Sequence, residues 1–377
     1  MPIGPKPGDV EMGKHRYSSF TNTNLEFLLR ARPGIDTLVI CGLTTECCVE
    51  TAVRDAFKRP RRTQIVGDDT GEISAEELVD DEPLVVTVTA RGYLQAKSAR
   101  GRGAKVADPG DKDAAAHVVD TSALGALLFF TTHGRAYRAA CHDLPKQRLT
   151  AIPNLFTFSD GERVIAVLDA GIVGEHDNVV FVTALGTVKR TPIEEFTEAS
   201  GRRDGLVAMK LAPNDRVVSV HAGWDDFETL VVTRDGQAIR FAESEVRPVG
   251  RSAGGIRAIK LRGDDVVVGA CAVAHEEVVV VASDNGHAKR VRADEFPVQA
   301  RGGSGVRVAK PDRKRGALLA VVPSTAQIAF VSDDGVAVVG ATDIKLQSRE
   351  GALPRVAAVG DDGPVRSVVG VASRSGD

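Results

Sequence analysis

The sequence predicts a mainly β protein built as a closed disc of six propeller-like blades, about four strands each, preceded by a short N-terminal α/β segment. Three observations predict it. A glycine-ended turn recurs at Gly92, Gly134, Gly186, Gly236, Gly286 and Gly335, at spacings of 42, 52, 50, 50 and 49 residues. Each turn follows a short run rich in Val, Thr and Phe, such as LVVTVT, ALLFFTT or VVVVAS, the composition of a buried strand. Each turn precedes a second short segment, GYLQAK, GRAYRA, GTVKRT, GQAIRF, GHAKRV or GVAVVG. Each pair reads as a hairpin, because Arg-Asp-Gly, Asp-Asn-Gly and Asp-Asp-Gly suit a turn that needs positive φ.

Two further strands complete each period. One is Gly-rich and then alternating, as in GGIRAIKL and GGSGVRVAK; the other follows an acidic turn, as in GERVIAVL, NDRVVSV and DDVVVGACAV. Four strands in about fifty residues is the content of a propeller blade, and radial packing of six leaves only short sheet edges. The disc is expected over 61–377 and the α/β segment over 1–60.

Composition narrows the functional classes. The chain has 377 residues, 43% hydrophobic, with 38 Gly and one Trp, as befits one large repeat domain plus a small extra segment. No apolar stretch is long enough for a membrane span and the start MPIGPKPGDV lacks a signal-peptide core, so a cytoplasmic, membrane-free protein is expected. Cys41, Cys47, Cys48, Cys141 and Cys271 form no CxxC pair and the eight histidines are scattered, so neither a disulfide framework nor a metal or cofactor site is expected. No GxxxxGK[ST] loop is present, which leaves no recognisable ATP cradle.

Basic residues recur in register. Four positions after the turn glycine stand Arg138, Arg190, Arg240 and Arg290, with Lys189 and Lys289 just before two of them. A second set occupies the Gly-rich segments: Arg100, Arg102, Lys105, Arg202, Arg203, Arg251, Arg257, Lys260, Arg301, Arg307 and Lys310. Equivalent positions on successive blades would place these bases around the disc, where a line of phosphates could release counterions to them. Glycine there would let a backbone approach a phosphate. Against this, the 48 Lys+Arg and 51 Asp+Glu of the chain include 9 and 7 in residues 1–61, leaving 39 and 44 in the disc, a net of −5. DNA binding therefore requires segregation, with acids such as Asp264, Asp265, Glu276 and Glu277 away from the bases. Solvent-facing bases paired with acids across strands explain the same pattern without DNA. No segment reads as a helix for the major groove, so sequence-specific readout is not expected.

The stretches RRTQIVGDDTGEISAEELVDDEPLVVTVTARGYLQ, TRDGQAIRFAESEVRPVGRSAGGIRAIKL and NGHAKRVRADEFPVQARGGSGVRV resemble the C-terminal β-pinwheel of the DNA gyrase A subunit and of the related topoisomerase IV A subunit, over about 61–370. The resemblance implies a six-bladed disc, joined by a strand connection unlike that of a propeller, whose rim binds and bends duplex DNA beside the enzyme's core A and B subunits. It also implies a heptapeptide, Q-[RK]-R-G-G-[RK]-G, in the first blade. Here the first blade offers SARGRGAK, and the nearest match lies in the fifth repeat: Gln299, Ala300, Arg301, Gly302, Gly303, Ser304, Gly305. Both gyrase-type wrapping and a topoisomerase IV-type disc without wrapping fit this departure. Tyr17, Tyr93 and Tyr137 do not stand in the setting of the family's strand-cleaving tyrosine, next to an arginine in a winged-helix domain, so the resemblance places no cleavage site here.

Residues 5–59, with PKPGDVEMGKHRYSSF and TLVICGLTTECCVETAVRDAF, resemble the C-terminal part of the isochorismatase-like cysteine hydrolases. The resemblance carries a triad lysine onto Lys14 and the nucleophile onto Cys48, with a helix from Asn24, a strand TLVICGL and a helix near Glu46. The triad aspartate has no counterpart and Glu46 replaces the usual Asn or Asp, so an inactive remnant is expected. Two other readings stay open at this point: a protein-binding propeller, and a hydrolase of amides or vinyl ethers dependent on Cys48. Reversing Arg240 and Arg290 to Glu is expected to weaken DNA binding while leaving the disc folded.

Overall fold

The structure is a computed structural model; it describes the backbone of 37–40 and 62–65, and residues 79–100, 106–172, 178–197, 203–274, 277–356, 359 and 364–371. The chain forms two compact units, Met1–Asp80 and Asp81–Asp377. In the first, strands Thr37–Ile40 and Arg62–Ile65 pair in parallel, which requires a crossover connection such as residues 41–61 are long enough to supply. The sequence places the boundary at 60/61; the structure groups Arg62–Ile65 with the first unit. Lys14, Cys48 and the expected N-terminal helices lie outside the described residues.

In the second unit six small antiparallel sheets make six blades. Each is built on a hairpin: Pro83–Thr89 with Tyr93–Ser98, Ala126–Thr131 with Arg135–Ala140, Asn178–Thr183 with Thr187–Pro192, Glu228–Thr233 with Gln237–Ala242, Val278–Ser283 with Ala288–Arg292, and Gln327–Ser332 with Val336–Gly340. The first strand of each hairpin also pairs with an inner strand: Ala115–Ser122, Val164–Asp169, Val217–Gly223, Val267–Val273, Leu318–Pro323 and Val365–Val371 in blades 1 to 6. These six inner strands touch one another in sequence, and the last touches the first. Arg91 reinforces the closure by donating to the Ser332 carbonyl at 2.8 Å.

The outermost strand of a blade comes from the following repeat. Thr150–Ala151, Leu206–Val207, Ile256–Arg257 and Val306–Arg307 close blades 1 to 4, and a single bridge between His287 and Arg355 does the same for blade 5. The chain thus leaves each hairpin, reaches back to the preceding blade and returns to form its own inner strand. That exchange ties neighbours by backbone hydrogen bonds as well as by the apolar clusters between blades, for example Leu230, Val232, Val279, Val281 and Phe296 between blades 4 and 5.

The hairpin turns carry the repeat signal for a physical reason. A hydroxyl opens each of the first five turns and accepts from the backbone four residues on: Thr89 from Tyr93, Thr131 from Arg135, Thr183 from Thr187, Thr233 from Gln237 and Ser283 from His287. A β-bulge falls at the same hydroxyl residue, increasing the local twist. The glycine closing the turn then presents its carbonyl to the incoming outer strand, as Gly236 does to Val308 at 2.9 Å. A side chain there would need φ of +86°, with its Cβ 2.2 Å from the Ala309 carbonyl oxygen.

Cys141 and Cys271 are buried, and burial pushes their thiols up to about 11 and about 12. Among the described residues no helix is long and apolar enough to cross a membrane. Replacing Gly236 by Ala is expected to cost at least about 2 kcal/mol, since positive-φ strain adds to the backbone clash; urea unfolding of the two proteins measures it.

Candidate nucleic-acid interface

Four of the six bases that follow the turn glycines are inside the disc, and Arg138 and Arg290 are half-buried. Lys189, Arg190, Arg240 and Lys289 are at most 3% exposed, where a sequence reading places DNA contacts. This corrects the expectation for all four: their charges are consumed by the protein. Arg190 donates to the Glu243 carbonyl at 2.7 Å and to Asp225 at 2.6 Å. Arg240 donates to the Ala293 carbonyl at 2.6 Å and pairs with Glu228. Arg290 donates to the Ile344 carbonyl at 2.9 Å. In each case the guanidinium of one blade caps a one-turn 3₁₀ segment of the next: Glu243–Glu245, Ala293–Glu295 or Ala341–Asp343. The Glu243 and Ala293 carbonyls, which already accept Val246 N and Phe296 N within their own turns, thereby gain a second, charged donor, and the Ile344 carbonyl after the third turn gains one as well. Arg138 holds the equivalent place in blade 2 and is half-buried.

The preceding position supports the blade's own edge. Lys189 Nζ donates to the carbonyls of Ala208 at 2.5 Å, Arg251 at 2.7 Å and Gly250 at 3.3 Å. Lys289 Nζ donates to those of Arg349 at 2.7 Å, Gly351 at 2.8 Å and Ser348 at 3.3 Å. Burial lowers both ammonium groups from 10.5 to about 8, partly offset by Glu195 and Glu295. Those carboxylates and that of Glu245 also serve in register, because Glu195, Glu245 and Glu295 accept the backbone N–H of Arg251, Arg301 and Arg349. The Gly-rich loops are thus fixed from two sides before they enter the outer strands.

The loop closest to the heptapeptide follows the same plan. Gly302 and Gly305 have φ of +80° and +66°, and a Cβ on Gly305 would lie 2.2 Å from the Ala238 carbonyl oxygen. The close backbone approach that glycine allows here is to the neighbouring strand, where sequence reasoning placed a phosphate. Gly303 accepts from Lys260 N at 2.8 Å, as Ala253 does from Lys210 N at 3.1 Å. These bonds join the edges of consecutive blades into one continuous perimeter.

The exposed bases stand on that perimeter. Arg257 and Arg307 occupy matching positions in the outer strands of blades 3 and 4, opposite Thr187 and Gln237, with Lys260 and Lys310 three residues on. All four are exposed, and among the described residues no side-chain partner engages them. Lys210 repeats the lysine position at the edge of blade 2 and is equally exposed; sequence reasoning missed it, although its spacing of 50 from Lys260 was readable. Arg203 and Arg100 are exposed, Arg203 reaching the Asn154 carbonyl and Arg100 that of Asp81. Arg251 and Arg301 are half-buried. Arg102, Lys105 and Arg202 lie outside the described residues.

Some acids are drawn inward. Asp113, Asp215 and Asp265 accept backbone N–H groups at the hairpin turns, from Arg91, Leu185 and Asp235. Glu162 and Glu243 are buried, accepting from Thr131 at 2.6 Å and Thr229 at 2.9 Å. Five carboxylates of the acidic disc are thus occupied by its own backbone and hydroxyls. Asp264 is exposed and Glu276 lies outside the described residues.

Fold and edge together define a six-bladed β-pinwheel with strands exchanged between blades and unpaired bases in register on its perimeter. Residues 126–169, 177–222, 228–270 and 277–324 match the family described as DNA gyrase C-terminal domain, beta-propeller, and residues 2–81 match the isochorismatase domain. The DNA gyrase A subunit of Mycobacterium bovis (strain BCG / Pasteur 1173P2) is 32% identical over 334 residues, covering 84% of this chain and 40% of that protein. That of Salmonella typhimurium is 31% identical over 300 residues, covering 76% and 34%. A crystal structure of the C-terminal domain of DNA topoisomerase IV superposes with a TM-score of 0.68 and 26% identity, over 77% of this chain and 93% of that one. The DNA gyrase A C-terminal domain does so with 0.59 and 22%, over 76% and 99%, a likeness of fold. The disc belongs to the family of DNA gyrase A C-terminal pinwheels. The chain spans less than half the length of these gyrase subunits.

Two outcomes follow from the buried bases. Arg240→Glu is expected to prevent folding, and Arg240→Met to cost about 3–5 kcal/mol, as for removing one partner of a buried pair; circular dichroism and urea melts check both. Between pH 8 and 10.5 the unfolded chain holds the Lys289 proton while the folded disc releases it, so this group contributes rising stability across that window. The stability difference between the wild type and Lys289→Met should therefore grow from about pH 8 to about pH 10, and a flat difference in urea melts would contradict it.

Proposed function

We propose that this chain binds duplex DNA without reading its sequence and bends it along the outer edges of the blades, as the DNA-handling part of a bacterial type IIA topoisomerase. The observation that carries this is the matched set of Lys210, Arg257, Lys260, Arg307 and Lys310, exposed and unpaired on a continuous, rigid edge. Phosphates bound there would release counterions, and a convex path favours a bent duplex. Membership in the gyrase A pinwheel family supports the reading. The DNA-binding domain is the second compact unit, the first being the isochorismatase-like remnant. The setting is the cytoplasm and the partners are duplex DNA and the core A and B subunits; strand cleavage and ATP hydrolysis belong to those partners.

Of the two topological modes, binding without a full wrap is favoured. The loop Gln299–Gly305 keeps the glycines that its backbone geometry demands but carries Ala300 and Ser304 where the heptapeptide has bases.

Binding of the purified chain to linear duplex across a salt series tests the function, together with the linking number of a nicked circle ligated in its presence. Five phosphate contacts give a slope of about −4 to −5 in log K against log salt, with little linking-number change expected. A salt-independent or undetectable association would contradict DNA binding, and a large shift would restore full wrapping.

A further inference from the structure

We infer that the DNA-contact surface is an arc, running from the edge of blade 2 across blades 3 and 4, and that it ends toward blade 1, where blades 2 and 1 lose the outer-strand arginine. The inference rests on the DNA-binding reading and specifies which part of the perimeter performs it.

The register of the outer strands carries the argument. Equivalent positions hold Ala151 opposite Tyr93 in blade 1, Val207 opposite Arg135 in blade 2, Arg257 opposite Thr187 in blade 3, Arg307 opposite Gln237 in blade 4 and Arg355 opposite His287 in blade 5. The base is exposed and unpaired in blades 3 and 4, held by the Val359 carbonyl in blade 5, and replaced by small or apolar residues in blades 1 and 2. Val207 is 45% exposed and Tyr93 is 41% exposed, so both present apolar surface where an arginine would meet a phosphate. Arg135 does not substitute for the missing charge, because its guanidinium is held by the carbonyls of Asp204 and Gly205.

The second register agrees. Three residues after the outer-strand position stand Lys210, Lys260 and Lys310 in blades 2 to 4, whereas blade 1 has Asn154. The described exposed bases of blade 1 lie outside either register; among them Arg91, Arg100 and Lys146 are engaged by the Ser332 carbonyl, the Asp81 carbonyl and Glu82, and Arg148 stands beside them. Backbone bonds from Lys210 to Ala253 and from Lys260 to Gly303 fix these edges to one another, so the bases of the arc keep constant spacing. A duplex following them meets repeated charge over consecutive blades and then leaves tangentially, because in blade 1 the two registered positions are Ala151 and Asn154 and offer no charge to offset further bending.

The test compares the full chain with three variants by fluorescence anisotropy on a duplex of about 40 base pairs across a salt series. Replacing Arg257, Lys260, Arg307 and Lys310 by Ala should reduce the salt slope by about 3 to 4 and weaken binding at least about 100-fold at moderate salt. Replacing the exposed Arg163 and Arg216, which lie outside both registers, should change affinity less than about threefold. Val207→Arg should extend the arc and steepen the slope by about 1. Thermal melts confirm that the variants fold. If wild type binds DNA and the fourfold variant binds equally well, or the two control substitutions weaken binding as much as the fourfold change, the arc is refuted while DNA binding stands. If wild type itself does not bind, the DNA-binding reading falls and the arc falls with it.

Discussion

The disc depends on one constraint: repeats 2 to 5 each give an outermost strand, and repeat 6 a single bridge, to the blade before it. A two-residue strand such as Ile256–Arg257 is far too short to hold itself in place. Its position is set by the glycine carbonyl at the neighbouring turn, by the carboxylate of Glu195 on the entering loop and by the ammonium of Lys189 beneath that loop. Buried lysine is costly to desolvate, and the three carbonyls that receive each ammonium are what make it tolerable. The same exchange places the donated strand on the perimeter, where its remaining side chains are free for a ligand.

Charge is sorted by this scaffold. An acidic disc can offer a basic edge because its turn acids cap backbone groups, its buried glutamates accept hydroxyls, and the bases of the hairpin second strands are spent inside the blade interfaces. What remains unpaired on the outer strands is a small set of lysines and arginines in fixed register. A net charge near zero or slightly negative therefore says little about a repeat protein whose charges have periodic and opposite roles.

Much of the architecture was legible in the sequence because its causes are local. Turn glycines need positive φ, strand runs need Val and Phe, and both recur with the repeat, so six blades could be read directly; four strands form in blades 1 to 4, while the sheets of blades 5 and 6 have three. The hydroxyl that opens each turn, Thr89 through Ser283, was equally periodic and its role emerges only from the hydrogen bonds. The interface was legible only by half. Arg240 and Arg257 look alike in sequence, both recurring with the repeat, yet one is buried against Glu228 and the Ala293 carbonyl while the other is exposed. Periodicity identifies a shared place in the blade but not whether that place faces a neighbour or solvent. That depends on the strand exchange, a long-range pairing that no local pattern encodes.

Lysine reactivity tests the division between internal bolts and external contacts most directly. Amine labelling of the folded chain with peptide mapping, with and without duplex DNA, should leave Lys189 and Lys289 unmodified in both states. Lys210, Lys260 and Lys310 should react in the free protein and be protected by DNA. Labelling of Lys189 and Lys289 in the folded disc, or full reactivity of the three edge lysines in the complex, would contradict the account.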